Sequence, residues 1–239
     1  MVDVIRINKA TLVVNIIDLK QETIVLVFPG GGYQLLSNRE ASPVATKFNM
    51  LGYNSAVLYY STKPFIMYAE ARLAIKELSK RFKNIFVVGF SAGGHLAGMV
   101  ATMKNKYNLK GAILAYPVVS FIKYPEEETV AGFLGNQLNE ENMIKYSIEN
   151  RVNKKTVPMY IWTTITDTDV PYDNSVLLSN KLNEYHIYNE LELFNHGDHG
   201  LALADETAVV ANDKERYIFP DVAKWPNNAD KFIQRVLSK

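Results

Sequence analysis

The residues best suited to chemistry are one serine, two aspartates and two histidines, widely separated in the chain. Ser91 lies in the stretch GFSAGGHLAG, with glycines on both sides. Asp167 and Asp169 follow the apolar run VPMYIWTT, and His196 and His199 follow NELELF. A serine hydroxyl becomes a nucleophile when a histidine takes its proton and an acid orients that histidine. The residue types therefore indicate covalent catalysis, with the choice of aspartate and of histidine still open.

The residues around Ser91 fit the pattern G-x-S-x-G at the end of a strand. NIFVVGF precedes the serine and predicts a buried strand, whereas AGGHLAGMVATMK predicts a helix after it. A serine on so sharp a turn needs small residues two positions away, and Gly89 and Gly93 supply them. The backbone N–H of Ala92 is then a candidate oxyanion donor at the helix start. A plain glycine turn is the alternative.

A second glycine-rich turn follows the apolar run TIVLVF. Residues 29–33 read PGGGY, and three glycines let the backbone fold closely and turn N–H groups toward a ligand. No Gly-Lys-Ser/Thr follows, so a phosphate-binding loop is not indicated. An ordinary flexible turn is the competing interpretation.

The elements that must position these residues alternate between strands and helices from residue 23 onward. Such alternation is typical of an α/β fold with a mostly parallel sheet and helices on both faces. DVIRI and TLVVNII precede it and predict a hairpin at one sheet edge. Predicted helices include ASPVATKFNMLGY, residues 68–82, NSVLLSNKLNEY and NADKFIQRVL. Ligands of such sheets bind beyond the carboxyl ends of the strands, where Ser91, the aspartates and the histidines are expected.

The composition limits the class of protein. The chain has 239 residues, 48% of them hydrophobic, so we expect a single domain over residues 1–239. A net charge of +1 without a basic block gives no reason to expect nucleic acid as a partner. No run approaches the ~18 apolar residues of a membrane span. No signal peptide is recognisable, so we expect a cytoplasmic protein.

Metal and cofactor sites are not indicated. The chain has no cysteine, which excludes disulfides and thiolate metal sites. His196, Asp198 and His199 form a rival metal-ligand set, but their spacing is not that of a helical histidine pair and no further ligand is evident. We expect no metal and no organic cofactor.

The chain resembles the small acetyl-esterase and acetylxylan-esterase-like α/β-hydrolases, which are more distantly related to the hormone-sensitive lipase group. The matching stretches are VFPGGGYQLLSNREASPVATKFNMLGYNSAVLYYS, VVGFSAGGHLAG, FLGN, PMYIWTTITDTDVPYDNSVLLSNKL and HGDHGLAL. The resemblance covers the chain from about residue 20 to the terminal KWPNNADKF. It implies an α/β-hydrolase fold with a mostly parallel sheet of about eight strands. It also implies hydrolysis of short acyl esters, often of acetylated sugars.

The resemblance also selects site residues. The nucleophile falls on Ser91, and the acid three residues before Val-Pro falls on Asp167, with Asp169 the alternative. The histidine before Gly-Leu falls on His199 rather than His196.

The oxyanion donors fall on the N–H groups of Gly31, Gly32 and Ala92. Pro29 stands where the lipase group has histidine, and proline has no N–H to donate. Because the expected donors are the glycines that follow it, the oxyanion hole is still expected to form.

Two segments interrupt the strand–helix alternation. Residues 121–157 are expected to form short helices that cap the site as an insertion. Residues 203–224 are expected to border either the acyl pocket or a partner subunit, and the second alternative would make the protein a homodimer. Other polar residues are expected to be core, surface or bracing residues: His95 (structural), His186 (surface), Arg39 and Glu40 (a helix-start ion pair or a brace for the glycine loop), and Tyr33 and Tyr116 (pocket lining or core).

The expected function is thus a serine carboxylesterase acting on a small-molecule ester. A peptidase or an arylformamidase would use the same residues. A non-enzymatic ligand-binding module is the alternative from another class.

Overall fold

The computed structural model describes residues 1–104 and 106–238 as an eight-stranded sheet flanked by helices. The strands are β1 Val2–Ile7, β2 Ala10–Asn15, β3 Thr23–Phe28, β4 Asn54–Tyr59, β5 Asn84–Phe90, β6 Leu109–Ala115, β7 Met159–Thr164 and β8 Asn189–Phe194. The helices are α1 Ser42–Met50, α2 Ile66–Leu78, α3 Ala92–Ala101, α4 Glu127–Leu134, α5 Glu140–Tyr146, α6 Asp173–Glu184, α7 Lys214–Tyr217 and α8 Trp225–Leu237.

The sheet is parallel except at one edge, as the sequence predicts. Its strand order is β1-β2-β4-β3-β5-β6-β7-β8. β1 pairs antiparallel with β2, and β2 with β4, so the predicted hairpin forms that edge. The remaining neighbours are all parallel, which brings the carboxyl ends of β3, β5, β6, β7 and β8 to one side.

Each face of the sheet carries its own apolar core. Alternate residues of β3 point to opposite faces: Ile24 and Leu26 belong to one core, and Val25 and Val27 to the other. Helices α2, α3 and α6 contribute to the first core, and α1 and α8 to the second. The central strands β3 to β7 are buried on both faces over almost their whole length, which explains their continuous apolar runs, whereas the edge strands β1 and β8 are partly exposed.

Helix α1 ends where its sequence predicts. Gly52 has φ +94°, a left-handed conformation that costs glycine little, and its N–H donates to the carbonyl of Asn49. The helix predicted at 68–82 instead spans Ile66–Leu78, and α3 ends at Ala101 rather than at residue 104.

The segment between β6 and β7 contains α4 and α5, with short 3₁₀ turns at Gly135–Gln137 and Ile148–Asn150. Helix α4 lies on the glycine-rich turn after β3. A Cβ on Gly132 would stand 2.5 Å from the carbonyl oxygen of Gly32, so this close approach requires glycine. Within the described residues, none of the helices combines the length and the apolar composition that a membrane crossing requires.

Candidate active site

Ser91 occupies a strained turn between β5 and α3. Its φ is +53° and its ψ is −118°, an unusual backbone conformation for a serine. A Cβ on Gly89 would stand 2.0 Å from the carbonyl oxygen of Gly93, and one on Gly93 would stand 2.2 Å from that of Phe28. Both glycines are therefore required for the turn. The turn leaves Ser91 8% exposed.

Ser91, His199 and Asp167 form one hydrogen-bonded chain. Nε2 of His199 lies 2.8 Å from Oγ of Ser91, and Nδ1 lies 2.7 Å from Oδ2 of Asp167. The other oxygen, Oδ1 of Asp167, accepts from the N–H groups of Asp169 and Val170 at 3.0 and 2.9 Å. The Asp167 carboxylate is thus buried, held in place, and directed at the imidazole.

The structure brings three of the five chemically suited residues together and leaves two apart. Asp169 and His196 are exposed. Asp169 lines the mouth of a cleft that opens onto Ser91 and His199, described below, whereas Asp167 contacts the histidine. The rival metal-ligand set is not assembled, because His199 is engaged at both nitrogens and Asp198 pairs with Arg216 at 3.3 Å.

Opposing influences act on the pKa of His199. Burial of the imidazole lowers it, but the hydrogen bond and charge of Asp167, helped by the charges of Glu40 and Asp169, outweigh burial and raise the pKa above its usual value. A histidine with a raised pKa is a stronger base. It also becomes protonated, and unable to accept a proton, at a higher pH.

The turn after β3 faces Ser91. Gly31 and Gly32 have φ of +123° and +60°, so both use left-handed backbone. The N–H of Gly30 donates to Oε2 of Glu40 at 2.8 Å. Among residues 1–104 and 106–238, no acceptor is found for the N–H groups of Gly31 and Gly32 in the turn, or for that of Ala92 at the start of α3. They are therefore free to bind a ligand oxygen.

A cleft of about 990 Å³ opens onto Ser91 and His199. Its lining includes the glycine turn, the residues that follow it, and the start of α4. The charged side chains among its described lining residues, apart from the histidine, are Arg39 and the carboxylates Glu40, Glu126, Glu127, Glu128 and Asp169. The mouth is therefore predominantly acidic.

Sequence reasoning did not identify Leu35 and Asn38 among these lining residues, and it placed Glu128 and Val210 only within the longer segments 121–157 and 203–224. For Leu35 and Asn38 the available signal was the length of the segment between β3 and α1. A long connection at the carboxyl edge of a sheet is well placed to shape a pocket.

His95 is a core residue, as expected. It is fully buried, its Nδ1 lies 2.9 Å from the hydroxyl of Tyr33, and its Nε2 lies 2.8 Å from the carbonyl of Tyr146. Burial lowers its pKa to about 3, so it stays neutral. Its ring stacks on Phe121. His186 is exposed, as predicted.

Tyr33 and Tyr116 also belong to the core and not to the cleft lining. They are 1% and 2% exposed. Tyr116 nevertheless packs edge-on against the imidazole of His199, with ring centroids 4.9 Å apart.

The sheet, the serine turn and the hydrogen-bonded chain of Ser91, His199 and Asp167 define the class of protein: this is an α/β-hydrolase fold, as predicted. A profile of the prolyl oligopeptidase family matches residues 67–222, and the chain belongs to that family.

Proteins similar to the chain include two curated relatives and several solved structures. Endo-1,4-beta-xylanase B of Butyrivibrio fibrisolvens is 30% identical over 215 residues, which is 79% of this chain and 34% of the relative. An acetylxylan esterase of Xylanibacter ruminicola is 27% identical over 199 residues, 72% of this chain and 39% of the relative. The chain thus spans between a third and two fifths of the length of these relatives.

One of the similar solved structures is an acetyl ester-xyloside bifunctional hydrolase from Caldicellulosiruptor lactoaceticus. It is 30% identical to this chain, covers 95% of it with a TM-score of 0.84, and is itself covered over 88% of its length. The likeness therefore extends over almost all of both chains.

Proposed function

We propose that the protein is a serine carboxylesterase that removes short acyl groups, in particular acetyl groups, from sugars or xylo-oligosaccharides. The observation that carries the proposal is the hydrogen-bonded chain Ser91–His199–Asp167 at the floor of an open cleft. Relatives named for acetylxylan and acetyl ester hydrolysis support the substrate class.

In the proposed reaction, Oγ of Ser91 attacks the ester carbonyl while Nε2 of His199 takes the hydroxyl proton. Asp167 stabilises the imidazolium. The negative oxygen of the tetrahedral intermediate accepts hydrogen bonds from backbone N–H groups, for which we propose Gly31, Gly32 and Ala92.

The intermediate collapses when the ester C–O bond breaks and the leaving alcohol takes the proton from His199. Water then attacks the acyl-serine and gives its proton to His199. The second tetrahedral intermediate releases the carboxylic acid, and the proton returns to Ser91. One ester and one water thus become one alcohol and one acid, without an external cofactor in any step.

The charge of the cleft supports a neutral sugar ester. Glu127, Glu128 and Asp169 at the mouth would repel an anionic substrate, whereas an acetylated neutral sugar carries no charge to oppose. The exposed hydroxyl groups of such a sugar can donate hydrogen bonds to the same carboxylates.

The experiment is acetate release from acetylated xylo-oligosaccharides by the purified protein and by Ser91→Ala, with p-nitrophenyl acetate, butyrate and octanoate in parallel. The proposal expects acetate release that depends on Ser91, with acetate esters preferred to octanoate. No acetate release from any sugar ester would contradict it.

A peptidase is the second candidate, because the matching family profile is that of the prolyl oligopeptidases. Aminoacyl p-nitroanilides, together with an N-formyl arylamine for an arylformamidase, belong in the same panel. A p-nitroanilide with a higher kcat/KM than every ester would favour the peptidase.

The cytoplasm as the place of action and a homodimer as the assembly are further predictions. Cell fractionation tests the first, and light scattering of the purified protein tests the second.

A further inference from the structure

A second carboxylate lies buried beside the triad. Glu40 ends a 3₁₀ turn, Asn38–Glu40, and is 3% exposed. Its Oε2 accepts the N–H of Gly30 at 2.8 Å, and its Oε1 accepts the hydroxyl of Tyr116 at 2.7 Å. These two bonds compensate for part of the cost of burying the charge.

Glu40 is also close to the nucleophile. A Cβ placed on Gly30 would stand 2.8 Å from Oε2 of Glu40 and 3.1 Å from Cβ of Ser91. There is therefore no room for a side chain on Gly30 between the carboxylate and the serine. A shift of Glu40 would move the turn that carries the N–H groups proposed to hold the oxyanion.

Tyr116 continues the connection toward the histidine. Its hydroxyl oxygen accepts the N–H of Ala202 at 2.9 Å, while its ring packs against His199. The chain Glu40–Tyr116–Ala202 thus runs from the turn after β3 to the loop that carries the proposed base.

Arg39, the neighbour of Glu40, holds the same loop at a second point. Its Nη1 donates to the carbonyls of Gly200 at 3.0 Å and Ala208 at 2.9 Å. Its guanidinium lies 4.6 Å from the centroid of the Tyr217 ring. The short 3₁₀ turn is therefore bonded to both of the loops that meet at Ser91.

We infer that Glu40 is a positioning residue that sets the oxyanion N–H groups and the histidine loop in register around Ser91. The inference rests on the proposed serine hydrolase function. Of the two interpretations that the sequence leaves open, a helix-start ion pair and a brace for the glycine loop, it favours the brace, because Glu40 and Arg39 bond to different partners.

A purely structural role and a positioning role differ in what they change. A structural carboxylate would affect the stability of the fold alone. A positioning carboxylate would also affect the transition state, because a reacting group displaced by about 1 Å can cost about 100-fold in rate. Its charge would in addition act on His199.

Several charged and polar groups face His199. From separate elements these are Asp167 and Asp169 after β7, Glu40 and Arg39 in the 3₁₀ turn, Tyr116 after β6, and Ser91 after β5. The negative charge of Glu40 is one of the influences that raise the pKa of His199. Removing that charge should lower this pKa, so the acid limb of kcat/KM should move to lower pH.

The test is Glu40→Gln, which keeps the shape of the side chain but removes its charge. Gly30 and Tyr116 donate to different oxygens of Glu40, and an amide keeps an acceptor at only one of these two positions, so one of the two bonds is lost. We expect kcat to fall about 10- to 100-fold, with KM within about three-fold of the wild type. We also expect the acid limb of kcat/KM to shift to lower pH.

Glu70→Gln is the matched control. Glu70 is fully buried and accepts the backbone N–H groups of Lys9 at 3.1 Å and Ser61 at 2.8 Å, so it too ties two loops together. It lies in α2 and does not line the cleft. We expect this variant to melt at a lower temperature, with kcat, KM and the acid limb unchanged.

A folded Glu40→Gln protein with wild-type kcat and an unmoved acid limb would overturn the inference. An equal effect of Glu70→Gln on kcat would also overturn it. If Glu40→Gln does not fold, Tyr116→Phe decides the question, because it removes one hydroxyl and keeps the ring against His199. We expect its kcat to fall about three- to ten-fold, and an unchanged kcat would overturn the inference.

Each variant is also treated with diethyl p-nitrophenyl phosphate, which phosphorylates an activated serine without any ester substrate. Slower labelling of Ser91 in Glu40→Gln than in Glu70→Gln supports the inference even if no sugar ester is cleaved. A wild-type protein that is neither labelled nor active would instead show that the proposed function is wrong, and the inference would fail with it.

Discussion

Replacing Asp167 by asparagine tests the triad with almost no change of shape. Oδ1 of Asp167 accepts two backbone N–H groups, from Asp169 and Val170, while Oδ2 faces Nδ1 of His199 at 2.7 Å. In Asp167→Asn the amide oxygen must stay on the two backbone donors, because an NH₂ group there would face two other N–H groups. The NH₂ group is then left facing the imidazole.

The consequence is the wrong tautomer of the histidine. With a donor facing Nδ1, the neutral ring of His199 carries its proton on Nε2, which lies 2.8 Å from Oγ of Ser91. Nε2 then cannot accept the serine proton. The expected loss in kcat is about 10⁴-fold, equivalent to about 5.4 kcal/mol of transition-state stabilisation.

The assay is p-nitrophenyl acetate hydrolysis at pH 8, with thermal unfolding to verify that each variant is folded. Asp169→Asn is the matched control. Asp169 is exposed and hydrogen-bonds Asp167 through its backbone N–H, which the substitution keeps, so its kcat should stay within about three-fold of the wild type. A kcat of Asp167→Asn within about ten-fold of the wild type would contradict the role of Asp167 as the acid that orients His199. A loss in kcat of about 10⁴-fold in Asp169→Asn would contradict it as well.

Three further predictions follow from the same geometry. Because neutral His199 is needed and its pKa is raised, kcat/KM should fall as the pH drops through a value above 6.5; a flat profile from pH 5 to 8 would count against this base. His95→Phe should lower the free energy of unfolding by about 1–3 kcal/mol in denaturant titrations, since the Tyr33 hydroxyl loses its partner, with kcat within about ten-fold; a stable but inactive variant would contradict a core role. Gly93→Ala should destabilise the fold by about 1–3 kcal/mol or more, because the new methyl group would meet the backbone at the end of β3; an unchanged melting temperature would show that the turn adapts.

The order of strands and helices could be predicted because their apolar periods are local. The ends of the helices were harder to predict from the sequence. Phe82 continues the apolar period of α2 and is 5% exposed, yet the helix ends at Leu78 and the chain continues in turns that bond back to the Leu78 carbonyl. Periodicity detects burial of Phe82 but not the change from helix to turn.

The serine turn was also readable from sequence, since the small residues it needs are two positions away. The choice between Asp167 and Asp169 was not readable from residue types, because both follow β7 and only the direction of each side chain separates them. The bond between Glu40 and Tyr116 joins residues 76 apart in the chain. Such a contact depends on how the loops after β3 and β6 meet in space.

Modification of Ser91 tests the central claim most directly. The protein is treated with a slight excess of diethyl p-nitrophenyl phosphate, and intact mass, peptide mapping and residual p-nitrophenyl acetate hydrolysis are measured together, with Ser91→Ala beside it. We predict one diethyl phosphate group per chain, on Ser91, with activity lost in proportion and no labelling of Ser91→Ala. Labelling at another residue, or undiminished hydrolysis by Ser91→Ala, would contradict it.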